Sequence, residues 1–234
     1  MDRSVDEIIL RPEGMFDDRP CILMFSGGRD STIAAARLSK IGAKLCLVTI
    51  SSGHLVGINR VRQRIQEMNS ILPPSTRWLH IKQPTELRTD TSFYQKTCLP
   101  CHHSYVVASS VMAFRLSISN LAFGYAMYQS AWPEQSPMAI SRLTNILARH
   151  QIGLLLPAYN IDSRARAEEL LRQLGLSSES LEQKCLQQVS NVSLSEDALR
   201  RFAWDSGGSL DEELLGWRSK QQSGKNARSI SCRL

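Results

Sequence analysis

Nowhere in the chain is there a run approaching the ~18 consecutive apolar side chains that a membrane span needs; Cys21 to Phe25, the stretch that most invites that reading, is only strand-sized. The opening residues, Met1-Asp2-Arg3-Ser4-Val5-Asp6-Glu7, hold acids and no apolar h-region, so the sequence predicts no secretory leader, no membrane partner and a cytoplasmic protein. Internal repeats and low-complexity tracts are also missing. At 42% hydrophobic and 21% charged, the 234 residues sit near ordinary globular composition, which excludes wholesale disorder and a collagenous chain. Acid is absent from one place in particular. After Glu213 there is none, while Arg218, Lys220, Lys225, Arg228 and Arg233 follow, in a chain of net charge +6. Such a tail would hold a phosphate-rich partner by salt-sensitive attraction; the alternative is a solvated, frayed terminus. Without an export signal, the six cysteines are expected as reduced thiols, available for packing, redox chemistry or metal.

Turning to what is there, Cys21-Ile22-Leu23-Met24-Phe25 is continuously apolar and flanked by Pro20 and by Ser26-Gly27-Gly28, the pattern of a strand buried on both faces. Ala34, Leu38 and Ile41 recur at helical spacing behind it, with Gly42 placed for a left-handed C-terminal cap. Lys44 to Ile50 reads as a second buried strand ended by Ser51-Ser52-Gly53. Ile58, Val61, Ile65 and Met68 mark an amphipathic helix whose outer face carries Arg60, Arg62 and Arg64. Thr76 to Ile81, Leu121 to Gly124 and Leu154 to Pro157 read as further strands. Between and after them, helices are expected around Val107 to Phe114, Ile140 to Leu147 and Ala167 to Leu174. Strands alternating with helices predict an α/β fold: a three-layer open parallel sheet of about five strands with helices on both faces. The organisation expected is an N-terminal extension over 1–19, an α/β domain over 20–176, and a small helical appendage with a basic tail over 177–234. Past Gly175 short helical pieces without strands are expected, the last opened by the capping box Ser209-Leu210-Asp211-Glu212.

Ser26-Gly27-Gly28-Arg29-Asp30-Ser31-Thr32 joins the first strand to the first helix, and elementary chemistry makes it an anion site. Two glycines allow close backbone approach, the helix N-terminus presents unpaired N–H groups, and hydroxyls add donors. Pyrophosphate suits it, with Mg²⁺ bridging Asp30 to phosphate oxygens. A Gly-Gly turn alone is weak, since such connections often take glycine for backbone reasons. The full string, following an apolar strand, resembles the pyrophosphate loop of the PP-loop ATP pyrophosphatases, the adenine nucleotide α-hydrolase-like superfamily, and neither Walker A nor the Rossmann fingerprint. The resemblance implies an enzyme that uses ATP, releases pyrophosphate and adenylates an oxygen on its substrate. It assigns Ser26, Gly27, Gly28, Arg29, Asp30, Ser31 and Thr32 to ATP, with Ser51, Ser52 and Gly53 near the adenine and Gly124 at the end of the fourth strand. Relatives often continue past that glycine with a His and acids, where this chain has Tyr125-Ala126-Met127-Tyr128-Gln129. Where relatives hold a Lys near the phosphates it has Ser163 and Arg164; Arg164 and Arg166 would supply that charge or lie on a solvated face.

Cys98 and Cys101 open a helix, with His102 and His103 beside them, an environment that favours thiolate. In relatives that thiolate tRNA, a Cys-x-x-Cys here pairs with one later cysteine, and Cys185 stands at that place. The resemblance thus implies Cys98, Cys101 and Cys185 as ligands of a [4Fe–4S] cluster, or a persulfide pathway in which Cys98 and Cys185 are catalytic alongside Asp30. Zn²⁺ held with Cys232 or a neighbouring His, and plain packing, stay open. Cys21 and Cys46 read as core side chains, and His54 lies near the nucleotide loop.

Three functional readings follow. The first is sulfur transfer to a tRNA base or another nucleic acid, with a sulfur donor protein and RNA held by the basic tail and the arginine-rich helix; a homodimer is compatible with it. The second is a relative of 7-cyano-7-deazaguanine synthase, a queuosine-type ligase joining ammonia to a small carboxylate, suggested by Trp132-Pro133-Glu134. The third is an ATP-binding sensor or subunit without chemistry.

Overall fold

The structure, a computed structural model, describes residues 20–82 and 97–186 together with positions 194, 195, 197, 212, 214–216 and 219. The expected N-terminal extension, the loop ahead of Cys98, the start of the capping box, Cys232 and the basic residues of the tail lie outside them.

The alternation inside each apolar run decides the architecture. In β1 (Pro20–Met24) and the residue after it, Cys21, Leu23 and Phe25 join one core while Ile22 joins the other, and β2 (Lys44–Ser51) divides Leu45 and Leu47 from Cys46, Val48 and Ile50 in the same way. A strand apolar on both faces must be covered on both, and burying each such side chain contributes roughly 1.5–3 kcal/mol. Helices α1 (Arg29–Lys40), α2 (Ile58–Glu67) and α5 (Arg164–Gln173) cover one face through Ile33, Leu38, Val61 and Leu171. On the other, α3 (Leu99–Leu116) and α4 (Pro137–Arg149) contribute Val106, Met112, Ile140, Leu143 and Leu147.

Between these layers β4 (Arg77–Lys82), β2, β1, β5 (Asn120–Phe123) and β6 (Gly153–Leu155) lie in that order, every pairing parallel. The five-stranded parallel α/β sheet expected from the sequence is therefore present. The chain moves outward in one direction from β1 through β2 to β4, then in the other through β5 and β6. That reversal leaves a crevice beyond the C-terminal ends of β1 and β5, where ligands bind in open sheets of this kind.

Two sequence expectations change. The segment past Gly175 was expected to hold no strand, yet β7 (Lys184–Cys185) pairs antiparallel with β3 (Leu55–Val56), Leu55 opposite Cys185. Two-residue strands are too short for any periodicity to register. The second helix was expected to turn its arginines outward as a basic face, but Arg64 is fully buried and Arg60 is held by backbone carbonyls, leaving Arg62 exposed. Gly42 and Gly175 do close their helices in the left-handed conformation, at φ 83° and 72°. Among the described residues no helix is long and apolar enough to cross a membrane.

Candidate active site

The loop Ser26–Thr32, expected from the sequence to bind an anion, occupies that crevice. Gly27 turns the chain at φ 79°, a conformation costly for a residue with a Cβ, and Gly28 becomes the N-cap of α1. No side chain caps this helix, so its first N–H groups and the positive end of its dipole face the loop. Hydroxyls shape the rest. The Gly28 N–H donates to Ser26 Oγ at 3.1 Å, the Ser26 and Ser31 hydroxyls lie 3.1 Å apart, and Thr32 Oγ1 donates to the Gly28 carbonyl at 2.6 Å.

Asp30 sits in the first turn, 8% exposed. Tyr128 donates to its Oδ2 at 2.7 Å, while Oδ1 is buried with no hydrogen-bond partner. Burial pushes the carboxyl up to about 6, the Tyr128 hydrogen bond opposes this, and Glu182 adds to it. A buried carboxylate oxygen left without a donor fits a cation as its missing partner, so the donor set suits Mg²⁺. Gly124, expected beside the nucleotide, meets the loop itself: a Cβ there would lie 2.4 Å from the Ser31 nitrogen. Its glycine is explained by the close passage of the chain after β5 over the first turn of α1.

Three arginines hold segment 177–183 across this loop. Arg29 donates to the carbonyl of Ser178, Arg60 to those of Ser180 and Glu182, and Arg64 to those of Ser177 and Glu179. The Leu181 N–H donates to the Gly27 carbonyl at 3.1 Å, joining segment and loop directly. Gln183 receives the Ser51 hydroxyl and donates to the Ile50 carbonyl, and Ser51 Oγ lies 2.8 Å from His80 Nε2. Ser51, predicted near adenine, therefore closes the end of β2 against this segment. Arg164 is exposed and paired with Glu168, which also reaches Arg29 at 3.3 Å, so the solvated alternative describes Arg164.

The cysteines assemble from separate places. Cys98 is the N-cap residue of α3, and Cys101 Sγ lies 3.5 Å from His54 Nε2. Cys185 faces Leu55 across the β3–β7 ribbon, next to His54, whose carbonyl accepts from the Leu186 N–H at 2.9 Å. Cys101 and Cys185 thus both border the 54–55 segment. Among the described residues, however, no three His, Cys, Asp or Glu side chains converge closely enough to hold a metal ion. The expected set Cys98, Cys101 and Cys185 thus forms no such group as placed, Cys98 and Cys101 lying at the start of α3 and Cys185 on the ribbon. Cys21 and Cys46 are core side chains as expected, and burial pushes the Cys21 thiol up to about 12.

Next to Cys98, on the first turns of α3, His102 Nδ1 lies 3.1 Å from the Tyr125 hydroxyl and Nε2 3.7 Å from Glu134 Oε1. Burial lowers the pKa of His102 against the pull of Glu134 and raises that of Tyr125, so a neutral imidazole and a protonated phenol face one buried acid. Glu134 is 1% exposed and its Oε2 has no partner. A His and an acid therefore do stand beyond the fourth strand of the main sheet, supplied by α3 and by the turn Pro133–Gln135. Sequence reasoning missed Tyr128, Glu182 and the arginine clamp; only the run of arginines on α2 carried any signal of the last.

No family model matches the chain, and no curated protein matches it. Solved structures do. A 4-thiouridine synthetase, crystallised with RNA and ATP, superposes with a TM-score of 0.58 at 14% identity, over 91% of this chain and 54% of that one. The U34-tRNA thiolase NcsA from Methanococcus maripaludis, with its [4Fe–4S] cluster, gives 0.53 at 14% over 93% and 76%. NMN synthetase from Francisella tularensis gives 0.51 at 13% over 90% and 89%. This chain spans about half of the first protein and most of the other two. Likeness at such identities speaks for the fold alone, the α/β architecture of a parallel sheet between helices that this chain shares with these three structures.

Proposed function

We propose that the protein splits ATP into AMP and pyrophosphate to adenylate a nucleotide or nucleobase, and that the group then installed is sulfur on a tRNA base. The observation that carries the ATP half is the uncapped α1 N-terminus behind Ser26-Gly27-Gly28, with the partnerless Asp30 Oδ1 beside it. In the first step a substrate carbonyl oxygen bonds to the α-phosphorus and the bond to the β-phosphate breaks, releasing pyrophosphate. The loop N–H groups and the Ser26 and Ser31 hydroxyls are placed to bind the departing charge. Mg²⁺ held by Asp30 would neutralise phosphate oxygens.

For the second step the placement of Cys101 and Cys185 beside His54 supports a thiol route. A donor protein would deliver a persulfide to one cysteine. Its terminal sulfur attacks the adenylated carbon and AMP leaves; the other thiolate then attacks the inner sulfur, closing a disulfide and freeing the thiolated base. A thiol reductant restores the pair. A nucleic-acid partner would be held through the basic tail and Arg62.

A second reading, ligation of ammonia to a small carboxylate, is favoured by buried Glu134 beside His102. One experiment separates the two. Pyrophosphate release is followed with the full chain, MgATP and either bulk tRNA or a deazapurine carboxylate plus ammonia. Stimulation by tRNA, lost in Cys101→Ser, supports sulfur transfer; stimulation by the carboxylate alone overturns it. No release under either condition would leave the ATP-binding sensor.

A further inference from the structure

We infer that Glu182 is a gate on the phosphate cradle: its carboxylate occupies the anion position at Gly28 in the free protein, and pyrophosphate binds by displacing it. The inference rests on the ATP-site reading above and deepens it. Glu182 Oε2 lies 2.9 Å from the position a Cβ on Gly28 would take, so the carboxylate rests directly on the N-cap of α1. An uncapped helix N-terminus favours a negative group, and here the chain supplies its own. Ser180 Oγ donates to Glu182 Oε1 at 2.9 Å and aims the side chain.

The segment is built so that the side chain can leave while the backbone stays. Five carbonyls of 177–182 are held by Arg29, Arg60 and Arg64, and Leu181 is buried and bonded to Gly27. Glu182, by contrast, is exposed, and only the Ser180 hydroxyl holds its carboxylate by a hydrogen bond among the described residues. An arriving pyrophosphate brings negative charge to a place already flanked by Asp30 and Glu182. Swinging Glu182 away from Gly28 relieves that repulsion without unfastening the clamp. Until then the carboxylate stands against Gly28, in the way of inorganic phosphate and other small anions approaching the loop.

The test uses the full chain. MgATP and magnesium pyrophosphate are titrated calorimetrically into wild type and Glu182→Gln, which keeps size and loses charge. Removal of the competing charge should tighten both ligands about ten-fold. A second measurement needs no variant: carbodiimide labelling of Glu182, read by mass spectrometry, should rise at least three-fold when MgATP is added to wild type, as the displaced carboxylate leaves Gly28 and the Ser180 hydroxyl. Unchanged or weaker binding by Glu182→Gln, or protection of Glu182 by MgATP, would overturn the gate and make the carboxylate a bystander or a metal ligand, with the ATP site intact. If neither protein binds either ligand, the ATP reading fails and the gate falls with it.

Discussion

The phosphate-loop region and the thiol region sit at the same end of the sheet and are built on opposite plans. Around the loop almost every group is fixed: hydroxyls bond to each other and to Gly28, Tyr128 holds Asp30, and three arginines fasten the overlying segment. Around the thiols, Cys101 meets His54 at 3.5 Å and Cys185 is carried on a two-residue ribbon. Charge stabilisation at phosphorus depends on donors that do not reorganise during the reaction, whereas a sulfur passed between cysteines requires thiols that approach in turn. A cross-braced half for adenylation and a half that brings thiols together from separate segments is the division of labour the proposed two-step reaction needs.

The largest effect should come from breaking the cross-braced half at its tightest packing. Gly124→Ala places a methyl 2.4 Å from the Ser31 nitrogen and 2.5 Å from its Cα, both backbone atoms that cannot swing aside. The expected cost is about 3 kcal/mol in urea unfolding, the upper range for overpacking. Amide exchange at Leu181 should rise sharply while the Leu186 amide, in the ribbon, keeps its protection. Equal loss in both would show the two regions to be one cooperative unit.

Asp30→Asn should separate activity from stability. Pyrophosphate release is expected to fall at least about 100-fold, since the group facing the phosphates loses its charge. Stability should move the other way. Burial pushes the folded carboxyl up to about 6 from its ordinary value of 3.8, so the folded state favours the proton; that stability is complete below pH ~4 and is lost as pH rises through about 6. Asn removes the loss. In chelator-containing buffer the variant should gain on wild type between pH 4 and pH 8, by an amount on the order of 3 kcal/mol. A pH-independent difference would mean that Asp30 is not buried as a charge.

The same contrast explains what could be read from the residues alone. The loop is seven consecutive residues at a strand–helix junction, so chemistry and local structure share one string; the sheet was likewise legible because β1 and β2 are apolar on both faces. Nothing local marks Tyr128 or Glu182, which reach Asp30 and Gly28 from far along the sequence, Tyr128 from 98 positions away. Arg64 illustrates the opposite failure: helical spacing gave it a polar face, and a segment more than a hundred residues later folded over it. The cysteine spacing pointed to a shared site, but spacing carries no information on whether two segments close to ligand distance.

Within the thiol region the two cysteines of the pair should differ. Cys101 has an imidazole nitrogen at 3.5 Å, able to take a thiol proton, while Cys98 is the N-cap residue of α3. Cys101→Ser should reduce iodoacetamide labelling of the pair and any tRNA-stimulated turnover by about ten-fold, the low end of what a missing nucleophile-and-base couple removes, and Cys98→Ser by only two- to three-fold. His54→Gln should reproduce the first result and flatten its pH dependence. Equal effects of the two serines would favour a shared metal over a thiol pathway and erase the distinction between the regions.

The smallest change tests how the cross-braced half is tuned. Tyr128→Phe deletes one hydroxyl, whose bond to Asp30 Oδ2 at 2.7 Å lowers the carboxyl pKa against the larger effect of burial. Without it the carboxyl should titrate above its wild-type value, and the fold should lose about 1–2 kcal/mol at pH 8, where the charge is unshared, and less at pH 4, where the neutral acid needs the bond less. Unfolding at the two pH values measures this directly. Asp30 would also be freer to turn Oδ2 toward the loop, so the Mg²⁺ concentration for half-maximal pyrophosphate release should rise while the maximal rate changes little. A fall in maximal rate with unchanged Mg²⁺ demand would instead place the phenol on the substrate, and Tyr128 would then belong with His102 and Tyr125 in the region where the adenylated group is received.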